Sequence, residues 1–284
     1  MKKNTLLMLP LVACMFACGN KQESKPADNS QQAEVSQELT DGADNSRFTT
    51  DSVGFGLETK KAIVNMWADF PKGGNAILVN AIREFISEEM GGSYMGDLSD
   101  ADAMVRHYVN EAQKELNKLS DEFESDEAPT LSHSIGIQKL NETDKYVTYT
   151  AGEEVYLGGA HGSWISRAVT FRKSDGRRFD AHMLHDTDSE AFHLLLKEGV
   201  KSYFADATDD TQITDEMLKD MLLVESPVDY LPLPQYPPYL TAEGVAFCYQ
   251  QYEIAPYAAG LPSFTIPYDK IRPYLTATAL QMIE

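Results

Sequence analysis

YVTYTAGEEVYLGGAHGSWISRAVTFR, residues 146–172, predicts two β-strands joined by a short glycine-rich connection. We expect the strands at 146–156 and 163–172, since both runs are rich in the β-branched and aromatic residues that favour half-buried strands. Gly158 and Gly159 between them permit positive φ and close approach of the backbone. That property suits either a tight turn or a loop that binds a ligand.

The region before these strands predicts a hairpin, two amphipathic helices and a further strand. Residues 52–70 alternate apolar and polar side chains, with a turn near Lys60 and Lys61. The first helix covers about 77–90 and ends at Gly91, and the second begins near Ser99, with Ser99 and Asp102 as a capping pair. A strand follows at 131–140.

The region after them begins with a hairpin turn at Ser174–Gly176. A helix opens at a capping box formed by Thr187 and Glu190, and a shorter helix covers about 215–223. Nine of the thirteen prolines lie between 227 and 273, which favours edge strands and structured loops there. The sequence therefore predicts an α+β fold with antiparallel sheets, packed helices and two closely associated subdomains, 48–149 and 150–284.

The N-terminus predicts secretion and lipidation. Lys2 and Lys3 precede a short apolar run that is too short to span a bilayer, as in a cleaved signal peptide of residues 1–17. Cys18 is the expected lipidated residue, with Cys14 as the alternative. Polar residues 18–47 then predict a disordered tether. Gly19 after Cys18 favours anchoring in the outer membrane of a cell envelope.

The charge restricts the possible partners, and the cysteine content restricts the possible disulfides. The formal charge of −20 disfavours nucleic acid and anionic lipid surfaces and favours a basic protein partner. With the signal peptide removed and Cys18 lipidated, the chain keeps a single free cysteine, Cys248, so no intramolecular disulfide can form. Cys248 lies in an apolar run and is interpreted as a small buried residue.

Histidines supply the candidate chemistry. His161 follows the two glycines and could be an acid or base, a metal ligand, a partner contact or a ring that fixes the turn through the backbone. His182 and His185 have the i, i+3 spacing of one helical face, so a metal site with His161 is an alternative to a polar turn.

Three tyrosines complete the predicted binding site. Tyr156, Tyr252 and Tyr257 have an apolar ring and a polar tip, which suits contacts with a partner. Glu153 and Glu154 are adjacent on a strand and so point to opposite faces, which prevents them from acting as a catalytic pair. The sequence contains no nucleophile motif, phosphate loop or dinucleotide fingerprint, so we expect no catalysis and no cofactor.

Several of these motifs together resemble a known envelope domain. They are GGAHG at 158–162, EGVAFCYQQYEIAPYAAG at 243–260 and FTIPYDKIRPYL at 264–275. About 150–278 resembles the extracytoplasmic region of lysozyme-sensing anti-sigma factors of the RsiV type. It also resembles the non-catalytic N-terminal region of peptidoglycan deacetylases of the PdaC type, and lipoproteins with a domain of unknown function.

The resemblance implies a recognition module only. The sigma-binding segment and membrane helix of the first group, and the metal-binding catalytic domain of the second, have no counterpart in these motifs. We therefore expect a lipid-anchored envelope protein that binds lysozyme, peptidoglycan or another cell-wall-related partner. A metal-dependent hydrolase or deacetylase acting on wall glycans, and a purely structural lipoprotein, are the alternatives.

Overall fold

A computed structural model describes residues 47–123, 128–208, 212–224 and 227–284. The predicted signal peptide, both candidate lipidation sites (Cys18 and Cys14) and all of the tether except Arg47 lie outside these ranges. Across the described ranges, no helix is both long enough and apolar enough to cross a membrane.

A five-stranded sheet with two helices forms the first half of the fold. Its strands pair in chain order, and every neighbouring pair is antiparallel except the second and third strands, which are parallel. The parallel pair needs a long crossover, which the two helices provide. The elements are β1 (Thr49–Glu58), β2 (Ala62–Gly73), α1 (Ala76–Met90), α2 (Ala101–Ser120), β3 (Leu131–Glu142), β4 (Tyr146–Tyr156) and β5 (Ser163–Arg172).

The helix ends follow local chemistry. Asn75 begins α1 by accepting a hydrogen bond from the Ile77 amide at 2.9 Å, and Gly91 ends it at φ 135°. In α2 the Asp100 carboxylate accepts from the amide of Ala103 at 3.0 Å. The prediction of Ser99 as the cap was therefore wrong by one residue, because the adjacent Asp100 is an equally good cap and α2 begins directly after it.

Both helices cover one face of the sheet. The buried side chains of α1 and α2 pack against alternate residues of the strands, and the core includes Phe85, Met104, Ile135, Tyr149 and Phe171. Ring contacts organise its centre, with the Phe85 and Phe171 centroids 5.6 Å apart in an edge-on arrangement. The opposite face of the sheet carries the other set of alternating side chains.

A smaller three-stranded sheet, one long helix and several short ones form the second half. The new elements are α3 (Glu190–Thr208), α4 (Asp215–Met221), β6 (Tyr239–Leu240), β7 (Gly244–Cys248), β8 (Ser263–Pro267), α5 (Tyr268–Ile271) and α6 (Ala277–Ile283). The Ser189 hydroxyl accepts from the Phe192 amide at 3.3 Å, so Ser189 caps α3 in place of the predicted Thr187. Strands β6 to β8 pair antiparallel in chain order.

Helix α3 packs against this sheet and fills two apolar clusters. Gly199 of α3 lies against the Phe264 ring of β8, and a Cβ built there would be 2.1 Å from the Phe264 Cδ2. The buried Lys197 ammonium pairs with Asp215 at 3.2 Å and with Asp229 at 2.5 Å. Hydrogen bonding to Asp229 is the main cause of a raised Lys197 pKa. These contacts bind α3 to α4 and to the segment after it.

A buried ring of hydrogen bonds joins the two sheets. The Leu240 amide donates to Thr170 Oγ1 at 2.8 Å, and the two threonine hydroxyls, Thr148 and Thr170, lie 2.7 Å apart. Thr148 Oγ1 donates in turn to the Leu240 carbonyl at 2.8 Å. Each hydroxyl has one proton, so Thr170 must donate to Thr148 for the ring to close. We call these three residues the threonine ring.

The predicted α+β class with packed helices and associated subdomains is confirmed, with β2–β3 as the one parallel pair. The described residues all fall within one compact unit. Residue 150 lies inside β4, so the first sheet continues across the predicted subdomain boundary to Arg172. The threonine ring lies where β4 and β5 meet the second sheet, with Thr148 before the predicted boundary and Thr170 after it.

Candidate functional site

The predicted glycine-rich connection between β4 and β5 is a six-residue turn, 157–162. Gly158 and Gly159 have φ values of 91° and 107°, which residues other than glycine rarely adopt. The Tyr156 hydroxyl donates to the Gly159 carbonyl at 3.1 Å, and Nδ1 of His161 lies 2.9 Å from the Gly162 carbonyl oxygen. Because a carbonyl only accepts, that histidine nitrogen must hold the proton. The residues predicted as a site therefore first serve to shape the turn.

His161 and Tyr257, 96 positions apart in sequence, stack on each other. Their ring centroids are 3.9 Å apart with an interplanar angle of 26°, and the Tyr252 ring lies 6.1 Å from that of Tyr257. His161 is exposed and Tyr252 keeps 56% of its surface accessible. We call His161, Tyr252 and Tyr257 the aromatic stack. The structure brings these three predicted residues together, and Tyr156 contributes through the turn that carries His161.

Tyr252 is held in a conformation that costs free energy. Its φ is 64°, in the left-handed region that L side chains other than asparagine and aspartate rarely adopt. The carboxylate of the adjacent Glu253 accepts from the backbone amides of Gln235 and Gln250 and so fixes this turn. Strained residues of this kind concentrate at functional sites. The turn thus presents a large ring to solvent at a conformational cost.

That strain gives a testable difference between two variants. Tyr252→Ala keeps the left-handed backbone with a side chain that disfavours it, whereas Tyr252→Gly removes the penalty. We expect Tyr252→Gly to be the more stable of the two by about 1 kcal/mol, since the left-handed conformation costs an alanine ~1–2 kcal/mol. Urea unfolding of both variants measures the difference. Equal stability, or a more stable alanine variant, would contradict the strain at this position.

Two glutamines attach the turn that carries Tyr252 to the edge of the first sheet. The Gln250 side chain accepts from the Ser166 amide at 3.0 Å and donates to the Ser166 carbonyl at 2.8 Å, as a neighbouring strand would. Gln251 Oε1 accepts from the Trp164 amide at 3.0 Å. Side-chain amides therefore close this part of the β5 edge. The sequence did not predict this contact, because it joins residues 84 positions apart.

A group of charged side chains lies on the helix-covered face of the same strands. Arg167 lies 2.8 Å from Glu89 through Nε and donates to Glu153 at 3.2 Å, and His133 Nε2 lies 3.0 Å from Glu153. The Arg167–Glu89 contact is an ion pair and not a hydrogen bond, since the N–H does not point at the oxygen. Arg167 also lies over the Tyr236 ring.

The two carboxylates of this group have opposite pKa shifts. Burial is the main cause that raises the pKa of Glu89, with Arg167 opposing it. The hydrogen bond to His133 is the main cause that lowers the pKa of Glu153. Glu89 lies in the last turn of α1, which ends at Met90. Its pairing with Arg167 therefore ties that helix end to β5. Glu154 points to the other face of the sheet, as the alternation of the strand predicts.

The predicted metal ligands are not arranged on one helical face. A 3-10 helix covers only Ala181–Met183, and Leu184 is extended, so the shared helical face of His182 and His185 on which the alternative metal site depended was wrong. His182 is almost fully exposed, while His185 Nδ1 lies 2.9 Å from Asp186. Within 47–123, 128–208, 212–224 and 227–284, no three His, Cys, Asp or Glu side chains are placed to hold a metal ion.

Cys248 is a free, partly buried thiol at the end of β7. Burial raises the pKa of Cys248 to about 11, and the Glu253 carboxylate adds to the shift. A thiol with so high a pKa is almost fully protonated at neutral pH and is a poor nucleophile.

Comparison with known proteins relates this fold to a family without an assigned role. Residues 195–269, from α3 into α5, match a family described as "Protein of unknown function (DUF3298)". A DUF3298 family protein from Bacteroides fragilis has a crystal structure that superposes with a TM-score of 0.64 at 21% identity, over 84% of this chain and 97% of that one. A second from Pseudomonas aeruginosa gives 0.56 at 17%, over 82% and 96%. A comparison with curated protein sequences gives no match.

Proposed function

We propose that this protein is a lipid-anchored extracytoplasmic binding protein that recognises a basic, cell-wall-related protein through the aromatic stack. The observation that carries the proposal is the exposed stacking of His161 on Tyr257 beside Tyr252, whose backbone is strained. Aromatic side chains with a polar edge dominate the energetics of protein interfaces. Rings already ordered by stacking lose little conformational entropy when a partner binds.

Charge favours a basic partner. The formal charge of −20 raises the encounter rate with a cationic protein and repels nucleic acid. The lipoprotein signal, with Cys18 or Cys14 as the anchor, would place the domain in the cell envelope, with the outer membrane favoured. The resemblance to RsiV-type lysozyme sensors and to the N-terminal region of PdaC-type deacetylases supplies the partner class. Lysozyme, a basic muramidase, is the partner we propose.

Binding of lysozyme to the immobilised protein tests the proposal. We expect an interaction at about 0.01 M ionic strength that weakens at 0.15 M, since the Debye length falls from ~30 to ~8 Å. Tyr257→Ala and His161→Ala should each weaken binding about tenfold, which corresponds to ~1.4 kcal/mol. Thermal unfolding of each variant establishes that it is folded.

A second tyrosine–histidine contact provides the matched control. Tyr230 is 50% exposed, and its ring lies 5.1 Å from that of His193, which like Tyr230 is not part of the aromatic stack. Tyr230→Ala should bind lysozyme as the wild type does. Absence of binding at low salt removes lysozyme as the partner and favours a structural role. Equal losses in Tyr230→Ala and Tyr257→Ala would show that the aromatic stack is not the contact surface.

A further inference from the structure

The face of the first sheet opposite α1 and α2 carries both tryptophans of the chain, Trp67 and Trp164. The strand register aligns a transverse row of mostly small residues across all five strands, and one of the tryptophans belongs to this row. In strand order the row is Gly54, Trp67, Gly136, Gly152 and Ser166. The second half of the fold covers one end of this face, where Tyr146, Ala168 and the threonine ring are buried. The five residues of the row are partly or fully exposed.

Trp67 lies directly over Gly136. A Cβ built on Gly136 would be 2.8 Å from both Nε1 and Cε2 of the indole, so no other residue fits beneath the ring. A Cβ on Gly54 would be 2.9 Å from the Trp67 Cβ. The two glycines therefore let the tryptophan lie low on the sheet and lean toward β3.

Gly152 is different, because internal packing does not require it to be glycine. It is the cross-strand partner of Gly136, and a Cβ there would meet only Nε1 of Trp164, at the ordinary distance of 3.9 Å. Trp164 keeps 47% of its surface exposed and leans over β4 from the opposite side. The Trp67 indole covers Gly136 and the Trp164 indole approaches Gly152 from the other side, so the two indoles flank an open floor at Gly152. We call Trp67, Trp164, Gly136 and Gly152 the tryptophan platform.

Hydrogen-bonding groups surround the platform. The next row of the same face holds Asn65, Ser134 and Glu154, the last paired across the strands with Trp164. Within the described ranges, neither indole N–H donates to a protein acceptor. At the β1–β2 turn the face continues into a shallow depression lined by Glu58, Thr59, Lys60, Ile63 and Thr130.

These features fit a neutral, hydroxylated ligand with flat apolar faces. The C–H face of a pyranose packs on an indole, while its hydroxyls bond to amide, hydroxyl and carboxylate groups at the rim. Adjacent strands lie ~4.8 Å apart, close to the length of one sugar unit, so a straight chain crossing the strands would place successive sugars over successive strands. Glycine inside a strand often marks the close approach of such a ligand.

Charge argues against a second copy of the chain, or a nucleic acid, as the partner of this face. A second copy would bring Glu58 and Glu154 against like charges on a chain of net charge −20. The same charge repels nucleic acid. We therefore propose that the tryptophan platform binds a β-1,4-linked pyranose chain lying across β2 to β5. This site is separate from the aromatic stack and does not depend on lysozyme binding.

Intrinsic fluorescence tests the proposal directly, because the only two tryptophans of the chain are in the platform. Titration of the purified protein with chitohexaose should give a saturable change in tryptophan emission. Trp164→Ala should weaken binding at least tenfold, as measured by calorimetry. Gly152→Val should also abolish it by filling the floor, while keeping or raising the unfolding temperature, since valine favours strands.

Two controls distinguish the tryptophan platform from the aromatic stack and from unspecific sugar binding. Tyr257→Ala in the aromatic stack should bind chitohexaose as the wild type does, whatever its effect on lysozyme. Maltohexaose, whose α-1,4 linkage curves the chain away from a flat floor, should not bind. No saturable change with chitohexaose, or wild-type binding by a folded Gly152→Val, would overturn the proposal. So would a concentration-dependent dimer in sedimentation that Gly152→Val abolishes, since the face would then join two copies.

Discussion

Thr170→Val is expected to lower the free energy of unfolding by about 3 kcal/mol, although it conserves the shape of a fully buried side chain. The substitution removes the acceptor of the Leu240 amide and the donor to Thr148. Leaving a buried polar group without a partner costs ~1–3 kcal/mol. This substitution leaves the Leu240 amide without an acceptor and the Thr148 oxygen without a donor. The loss should be visible in urea unfolding as a lower midpoint with an unchanged slope.

Thr150→Val provides the control, because it removes a hydroxyl on the same face of β4 from a partly exposed side chain. It should change the unfolding free energy by less than ~0.5 kcal/mol, as surface substitutions usually do. The effects of Thr148→Val and Thr170→Val should be strongly non-additive when combined, since both belong to the threonine ring. A loss below ~0.5 kcal/mol in Thr170→Val would mean that the ring contributes nothing to the junction of the two sheets.

Gly199→Ala is expected to lower the unfolding free energy by about 2 kcal/mol, although alanine is the better helix former. The added methyl would lie 2.1 Å from Cδ2 and 2.5 Å from Cγ of Phe264. Phe264 is itself stacked on Phe247, with centroids 5.7 Å apart, so the ring has little room to move away. Overpacking typically costs ~1–3 kcal/mol, and contacts this short place Gly199→Ala at the upper end of that range. Subtracting a gain of ~1 kcal/mol in helix propensity leaves a net loss of about 2 kcal/mol. Thermal unfolding followed by circular dichroism measures the loss.

The cause can be isolated by a double-mutant cycle with Phe264→Leu. The smaller side chain should recover most of the loss in the Gly199→Ala background while destabilising the wild type. Glu198→Ala, on the exposed side of the same helix, should have little effect. If Gly199→Ala is neutral or stabilising, then α3 does not pack on β8 as closely as described.

Local chemistry predicted most of the secondary structure. The strands 146–156 and 163–172 appear at the predicted bounds, because alternation and the glycine turn are both encoded locally. The observed N-caps, Asp100 and Ser189, lie one or two residues after the predicted ones, because several residues able to cap follow one another at both places. A sequence offers no way to choose among adjacent caps of similar strength.

Long-range contacts were the part that sequence reasoning missed. The partnership of Gln250 with Ser166 and the placement of Trp67 and Trp164 beside one glycine pair depend on register and on chain return. His161 and Tyr257 were both predicted as site residues, but only the folded chain places one ring on the other. Conversely, the i, i+3 spacing of His182 and His185 suggested a shared helical face that the extended Leu184 prevents.

The closure of the β5 edge by Gln250 has a consequence for the order of folding. Gln250 follows Ser166 by 84 residues, so this edge is covered by a contact of long sequence separation. Such contacts form late, because the intervening loop must close first. Until Gln250 has docked, the backbone of β5 around Ser166 is an open strand edge that can pair with another chain. A partly folded chain is therefore most exposed to misassembly at this edge, before its C-terminal part has docked.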